Sequence, residues 1–211
     1  MANLITLTRL LLLAGLAAIA YRAAPGWQIV HLPLVAIIFL MDGLDGWVAR
    51  RRNEATVFGS IFDIAADRVV EIVLWLVLAD LGTVPVLVPI IFIVRGNIVD
   101  AIRYAAISGG ETAFGMMQRR WARFLVSGRF LRTSYAILKA WTFALLLILP
   151  ALAALAPAWW QTAGATVTAV AMAMTWGTVF VCILRGVPVV AEFLADRRVF
   201  AKDDGALARA G

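Results

Sequence analysis

The sequence predicts an all-α, polytopic integral membrane protein with six transmembrane helices and a functional site at their cytoplasmic ends. Three observations predict it. Of the 211 residues, 63% are hydrophobic and the mean hydropathy is +0.91, more apolar surface than a soluble domain of this length can hide. The apolar residues gather into runs of about 20, the length that spans a bilayer core as a helix. The basic residues fall in alternate gaps between those runs.

The first run, near 4–22, carries Arg9 and is long, with no clear cleavage site, so it reads as a retained span. Pro25-Gly26 separates it from the second, near 28–49, whose last turns hold Asp42 to Arg50. The third, near 58–80, opens with Gly59, Asp63 and Asp67, and Gly82 with Pro85 stops it. The fourth, near 84–107, contains Arg95, Asp100 and Arg103 and ends at Ser108-Gly109-Gly110. Residues 111–132 interleave arginines with Phe114, Met116, Met117, Trp121, Phe124, Leu125 and Phe130, the composition of an amphipathic segment lying on the inner leaflet. The fifth run, near 133–156, has Pro150 and Pro157 at its outer end, and the sixth, near 162–187, includes the single Cys182 as packing. The tail from Lys202 is polar and small. With no internal repeat and no Ser/Gly linker, residues 1–211 read as one membrane domain.

The net charge of +6 would suggest nucleic acid in a soluble chain. Here its distribution argues for membrane orientation and against a nucleic-acid partner. Arg50, Arg51 and Arg52 lie between runs two and three; Arg119, Arg120, Arg123, Arg129 and Arg132 lie between four and five; Arg197, Arg198 and Lys202 follow six. The opposite gaps hold Arg22 alone. The positive-inside rule then places both termini in the cytoplasm. Trp27, Trp159 and Trp160 fall at the charge-poor ends, as an aromatic belt would. His31 falls on that outer side and reads as an interfacial histidine. One cysteine excludes an intrachain disulfide and a cysteine-based zinc site.

The chemistry concentrates in residues 42–67. Asp42 and Asp45 are three apart and Asp63 and Asp67 four apart, so each pair shares one helix face. A short arginine-rich connection would bring the pairs face to face at the inner membrane surface. A carboxylate at the centre of a membrane helix costs about 2.5–3.5 kcal/mol, so four together call for a counter-charge. Oxygen-only ligands select Mg²⁺ or Mn²⁺, with Ca²⁺ also accommodated; one dication would neutralise half the charge and two all of it. Two metals on carboxylates suit a pyrophosphate and in-line attack at phosphorus. Arg50 can fork onto a phosphate, and one aspartate can take a proton from an attacking hydroxyl. Gly43, Gly46, Ala49 and Gly59 allow either close backbone packing or close approach of a ligand. Glu71, one turn past Asp67, either orients the site or pairs with Arg68 or a base on another span. Asp100 reads as an ion-pair partner between Arg95 and Arg103.

The string Asp-x2-Asp-Gly-x2-Ala-Arg-x8-Gly-x3-Asp-x3-Asp, from Asp42 to Asp67 without departure, resembles the signature of the CDP-alcohol phosphotransferase (CDP-alcohol phosphatidyltransferase) family. The opening Asn3-Leu4-Ile5-Thr6-Leu7-Thr8-Arg9 is similar to the family's first segment; the later spans match in hydropathy and length. The resemblance implies transfer of a substituted phosphate, commonly phosphatidyl from CDP-diacylglycerol, to an alcohol with release of CMP, in phospholipid biosynthesis. It implies that Asp42 and Asp63 bridge two Mg²⁺ ions, that Asp45 and Asp67 complete their shells, and that Asp67 is the general base. Asn3, Thr6, Gly46, Arg50 and Thr56 match donor-binding positions. Membrane lipid and a homodimer partner are implied in the same way, as is a multi-pass place in a bacterial-type inner (cell) membrane.

In size, in its start and in Arg95 and Arg103 the chain resembles bacterial phosphatidylglycerophosphate synthases, which implies glycerol 3-phosphate as acceptor. Arg95, Arg103, Arg132 and Lys139 are the cations that would meet it. The chain departs from those synthases at Arg95-Gly96, where they often carry Arg-Glu, and at Lys139-Ala140-Trp141-Thr142-Phe143, where they tend to carry Lys-Thr-x-x-Gln. The Glu-Arg element of inositol-phosphate-using relatives is not evident. The same chemistry on an inositol phosphate, serine or another polar alcohol is the alternative. An intramembrane prenyltransferase would need two Asp motifs on separated spans and a longer chain. A cation transporter or channel would carry its carboxylates near mid-membrane, often with repeat symmetry.

Overall fold

The computed structural model describes residues 2–51, 57–108 and 128–195, with side chains except at 2, 3, 45–50, 57, 58, 60, 103–108 and 129. Six long helices account for most of it: α1 (Ala2–Arg22), α2 (His31–Arg51), α3 (Val57–Asp80), α4 (Leu87–Ser108), α5 (Arg129–Leu155) and α6 (Pro157–Ala195). No strand occurs among the described residues. Four stretches there are long and apolar enough to cross a membrane: Leu4–Arg22, Pro25–Leu44, Phe130–Leu155 and Pro157–Ala195. Six were expected. The other two helices, α3 and α4, have the length but break their apolar runs with Asp63, Asp67, Arg68 and Glu71, and with Arg95, Asp100 and Arg103. The interfacial segment expected at 111–132 lies outside the described residues as far as 127, and its last residues belong to α5.

The chain divides into two compact units, residues 1–93 with 134–180 and residues 94–133 with 181–211. In the first, α1 packs on α2 and α3. Its inward stripe is Thr6, Arg9, Leu13, Leu16 and Ala20, all buried at three- and four-residue steps. At its end, Gln28 of a short 3₁₀ helix (Pro25–Val30) donates to the carbonyls of Ala20 and Ala23, both at 3.4 Å, groups that a helix terminus leaves without intrahelical partners. The core is aromatic. The Trp75 ring of α3 lies 4.5 Å from that of Phe143 in α5 and 5.0 Å from that of Phe92 in α4, and Phe39 of α2 lies 6.2 Å from Phe143. Thr142 and Thr178 share a buried hydroxyl contact at 3.2 Å between α5 and α6.

The end of α3 is a Schellman motif. Gly82 has φ +70°, its N–H donates to Ala79 at 3.0 Å, and the Thr83 N–H donates to Leu78 at 2.9 Å. A side chain there would be strained, which is why glycine stands at this stop.

Within the second unit, Val99 and Ile102 of α4 bury against Val189 of α6, with Val190 and Phe193 packed beside them. α6 runs on through Pro188 to Ala195, past the limit near 187 expected from hydropathy. The proline removes one helix hydrogen bond, but the turn beyond it holds the buried Val189 that closes this core. Cys182 is buried, as packing requires.

His31 corrects the expectation of an interfacial side chain. It is 0% exposed, and its Nδ1 lies 3.2 Å from the Leu147 carbonyl of α5. That acceptor requires the proton on Nδ1. An imidazole can enter the interior when such a carbonyl receives it, and nothing in hydropathy reveals the carbonyl.

Candidate metal and phosphate site

The site grows from three helices. α2 carries Asp42 in its lower half, and α3 carries Asp63 and Asp67 one turn apart. One carboxylate oxygen from each of the three lies within 4.8 Å of the others. A Mg–O distance of about 2.1 Å puts ligands of one ion roughly 3–4.2 Å apart, so the three oxygens lie within reach of a shared divalent cation after a modest side-chain adjustment. The donor chemistry, all carboxylate, suits Mg²⁺ or Mn²⁺.

The third helix supplies a residue that spacing within the aspartate motif does not reveal. Arg9 of α1 donates from Nη1 to Asp42 Oδ1 and from Nη2 to Asp67 Oδ1. It is 1% exposed, while the side chains of Asp42 and Asp67 are 42% and 52% exposed. The guanidinium therefore lies beneath the carboxylates, which keep an accessible side. A signal for Arg9 existed. It falls on the one-faced stripe of α1, and that helix contains no acidic residue, so a buried arginine there must find its partner on another helix.

One turn beyond Asp67, Glu71 is buried and accepts from two cations. Arg68 Nη1 donates to its Oε2 at 3.0 Å, and Lys139 Nζ of α5 donates to its Oε1 at 2.8 Å. Of the two roles open to Glu71, pairing with Arg68 and with a base on another helix is the one observed. Lys139 also sits 5.4 Å from the centre of the Tyr135 ring, a cation–π contact. Thus Asp42, Asp63, Asp67, Glu71 and Lys139 all belong to the first unit, and Lys139 is linked to the aspartate helix through Glu71.

The remaining expected residues are placed less fully. Asp45, Gly46 and Arg50 lie in the last turns of α2, and Asn3 in the first of α1, with their side chains outside the described set; Thr56 is outside it altogether. Thr6 is buried one turn before Arg9 on the same stripe. A Cβ at Gly43 would meet nothing within 4 Å. Close helix packing therefore does not require this glycine, which leaves room for an approaching ligand. Arg95, Arg103 and Arg132 belong to the second unit. Arg132 is exposed near the start of α5, and Arg103 lies on α4 with its side chain outside the described set. Arg95 packs against Gly186, where an added Cβ would come within 2.9 Å of its Cγ and Nε.

Two comparisons bear on this geometry. A family model described as CDP-alcohol phosphatidyltransferase matches residues 1–184. Among curated proteins, the chain is 30% identical over 79 residues to a CDP-diacylglycerol–inositol 3-phosphatidyltransferase 1 of Arabidopsis thaliana, covering 37% of this chain and 33% of that protein. It is 30% identical over 122 residues to a CDP-diacylglycerol–glycerol-3-phosphate 3-phosphatidyltransferase of Pseudomonas fluorescens, covering 57% of this chain and 63% of that protein. The chain thus spans a third of the length of the first relative and under two thirds of the second. With the family model matching most of the chain, and a buried arginine drawing together aspartates of the matching motif, the chain belongs to the CDP-alcohol phosphatidyltransferase family.

Proposed function

We propose that this protein transfers the phosphatidyl group of CDP-diacylglycerol to glycerol 3-phosphate in the membrane, releasing CMP. The observation that carries the chemistry is the convergence of Asp42, Asp63 and Asp67 on one small volume, open on one side. Asp42, Asp45, Asp63 and Asp67 would hold two Mg²⁺ ions, with Mn²⁺ an alternative. When bound, the ions supply charge neutralisation of the pyrophosphate and of the departing CMP. Asp67 takes the proton from the acceptor hydroxyl. That oxygen forms a bond to the β-phosphorus, the one bearing diacylglycerol, and the anhydride bond to CMP breaks. Asn3, Thr6, Gly46, Arg50 and Thr56 hold the cytidine diphosphate end of the donor.

Lys139 is the best supported of the acceptor cations. It belongs to the same unit as the aspartates, and the buried Glu71 holds it one turn from Asp67. Arg95, Arg103 and Arg132 are the further acceptor candidates, and all three belong to the second unit. Glycerol 3-phosphate is favoured because the relative matched over the greater length carries that acceptor in its name. The Arabidopsis relative favours inositol as the second reading. The six helices cross the membrane with both termini cytoplasmic, which places the aspartates at the inner surface where a lipid donor enters between helices. Purified protein given Mg²⁺, CDP-diacylglycerol and, in turn, glycerol 3-phosphate, myo-inositol, an inositol phosphate or serine should form one lipid product, with glycerol 3-phosphate. Product with inositol or its phosphate alone would replace the acceptor while keeping the chemistry.

A further inference from the structure

We propose that Arg9 is the built-in counterion of the aspartate site and competes with divalent metal for the oxygens of Asp42 and Asp67. This rests on the metal reading given above. Three carboxylates with oxygens within 4.8 Å of one another repel strongly when ionised, and a buried guanidinium without acids is equally costly. Each therefore needs the other. Arg9 serves this need with a fork that gives one terminal nitrogen to each helix, Nη1 to Asp42 on α2 and Nη2 to Asp67 on α3. Because it is only 1% exposed, water cannot replace either bond.

A consequence follows from charge and geometry. The two Oδ1 atoms that hold Arg9 come from two of the three aspartates whose oxygens converge for a metal. A dication that takes those oxygens displaces the fork and leaves a buried cation beside a metal. An anion bearing several oxygens relieves both at once, because guanidinium pairs with phosphate as well as with carboxylate. Arg9 thus exchanges carboxylate for phosphate when a nucleoside diphosphate arrives with the metal. Metal alone binds weakly, metal and diphosphate each strengthen the other, and by linkage the coupling is reciprocal. The device holds the carboxylates in register between turnovers and keeps the full metal charge from assembling until the donor is there.

Mn²⁺ binding to the purified full chain in detergent tests this. It is followed by electron paramagnetic resonance with and without CDP, corrected for Mn²⁺ that CDP holds in solution. Wild type should bind Mn²⁺ weakly alone and roughly tenfold or more tightly with CDP. Arg9→Gln should bind Mn²⁺ alone about tenfold more tightly than wild type and lose most of the CDP enhancement. Arg9→Lys keeps the charge without the fork and should fall between them; it also serves if the glutamine variant does not fold, as checked by its melting transition. Equal or weaker Mn²⁺ affinity in folded Arg9 variants, with CDP enhancement intact, would overturn the proposal while leaving the metal reading in place. No Mn²⁺ binding to any of the proteins, with or without CDP, would overturn both.

Discussion

Asp67, proposed as both ligand and base, is tied to α1 through Arg9. Asp67→Asn keeps the shape and removes the proton acceptor. General-base catalysis is worth about 10²–10⁴-fold, so turnover should fall by about 10³-fold while equilibrium binding of CDP-diacylglycerol changes only a few-fold. Retained turnover in that variant removes Asp67 as the base. Lys139→Gln tests the acceptor side. It leaves Glu71 paired with Arg68 at 3.0 Å, so the site keeps its support. A charge-assisted hydrogen bond contributes about 1.5–3 kcal/mol; KM for glycerol 3-phosphate should rise at least tenfold, with KM for the donor little changed. Equal changes in both would show a general loosening in place of a lost acceptor contact. At this scale the convergence of Asp42, Asp63 and Asp67 was legible from helical spacing, while the side chain of Asp45 lies outside the described set. Arg9 was visible only as an arginine in an apolar run, because its partners lie 33 and 58 residues away and packing, not periodicity, chooses them.

Helices were the most legible elements, since runs of about 20 apolar residues leave little else to form. Their ends were less so. α6 passes through Pro188 because the buried turn beyond it closes a core, and local propensity cannot weigh that distant contact. His31 entered the interior for the same kind of reason, a carbonyl on α5. The aromatic stack that joins α2, α3, α4 and α5 was equally unreadable, because each ring merely counted as apolar. Phe143 is its centre, 0% exposed between Trp75 and Phe39. Phe143→Ala should destabilise by about 3–5 kcal/mol, seen as a lowered melting temperature in detergent. Phe130→Ala, at a side chain 78% exposed, should stay within about 0.5 kcal/mol. Equal melting shifts for the two would mean that the stack does not hold the first unit together.

Across the whole molecule, the outward surface states the solvent. Leu4, Phe180, Leu11, Leu40 and Val86 are 62–67% exposed among many other large apolar side chains on the surface, more exposed hydrocarbon than is usual for a protein folded in water. The two helices that fall short of the composition for crossing, α3 and α4, carry Asp63, Asp67, Arg95 and Arg103, while Asp42 lies on α2 and Lys139 on α5. Function and hydropathy thus trade against each other along the same segments, and the polar price is met locally by Arg9, Arg68 and Lys139. The alcohol was the least legible feature, because relatives at the same 30% identity differ in the acceptor that their names carry.

The most direct test of the central claim is CMP release by the purified protein from CDP-diacylglycerol and glycerol 3-phosphate, measured with Mg²⁺ and after chelation. The account predicts steady CMP release with Mg²⁺, its loss on chelation, its return with Mg²⁺ or Mn²⁺, and none from Asp63→Asn. CMP release that is indifferent to chelation, or no release with any alcohol of the panel, would contradict it.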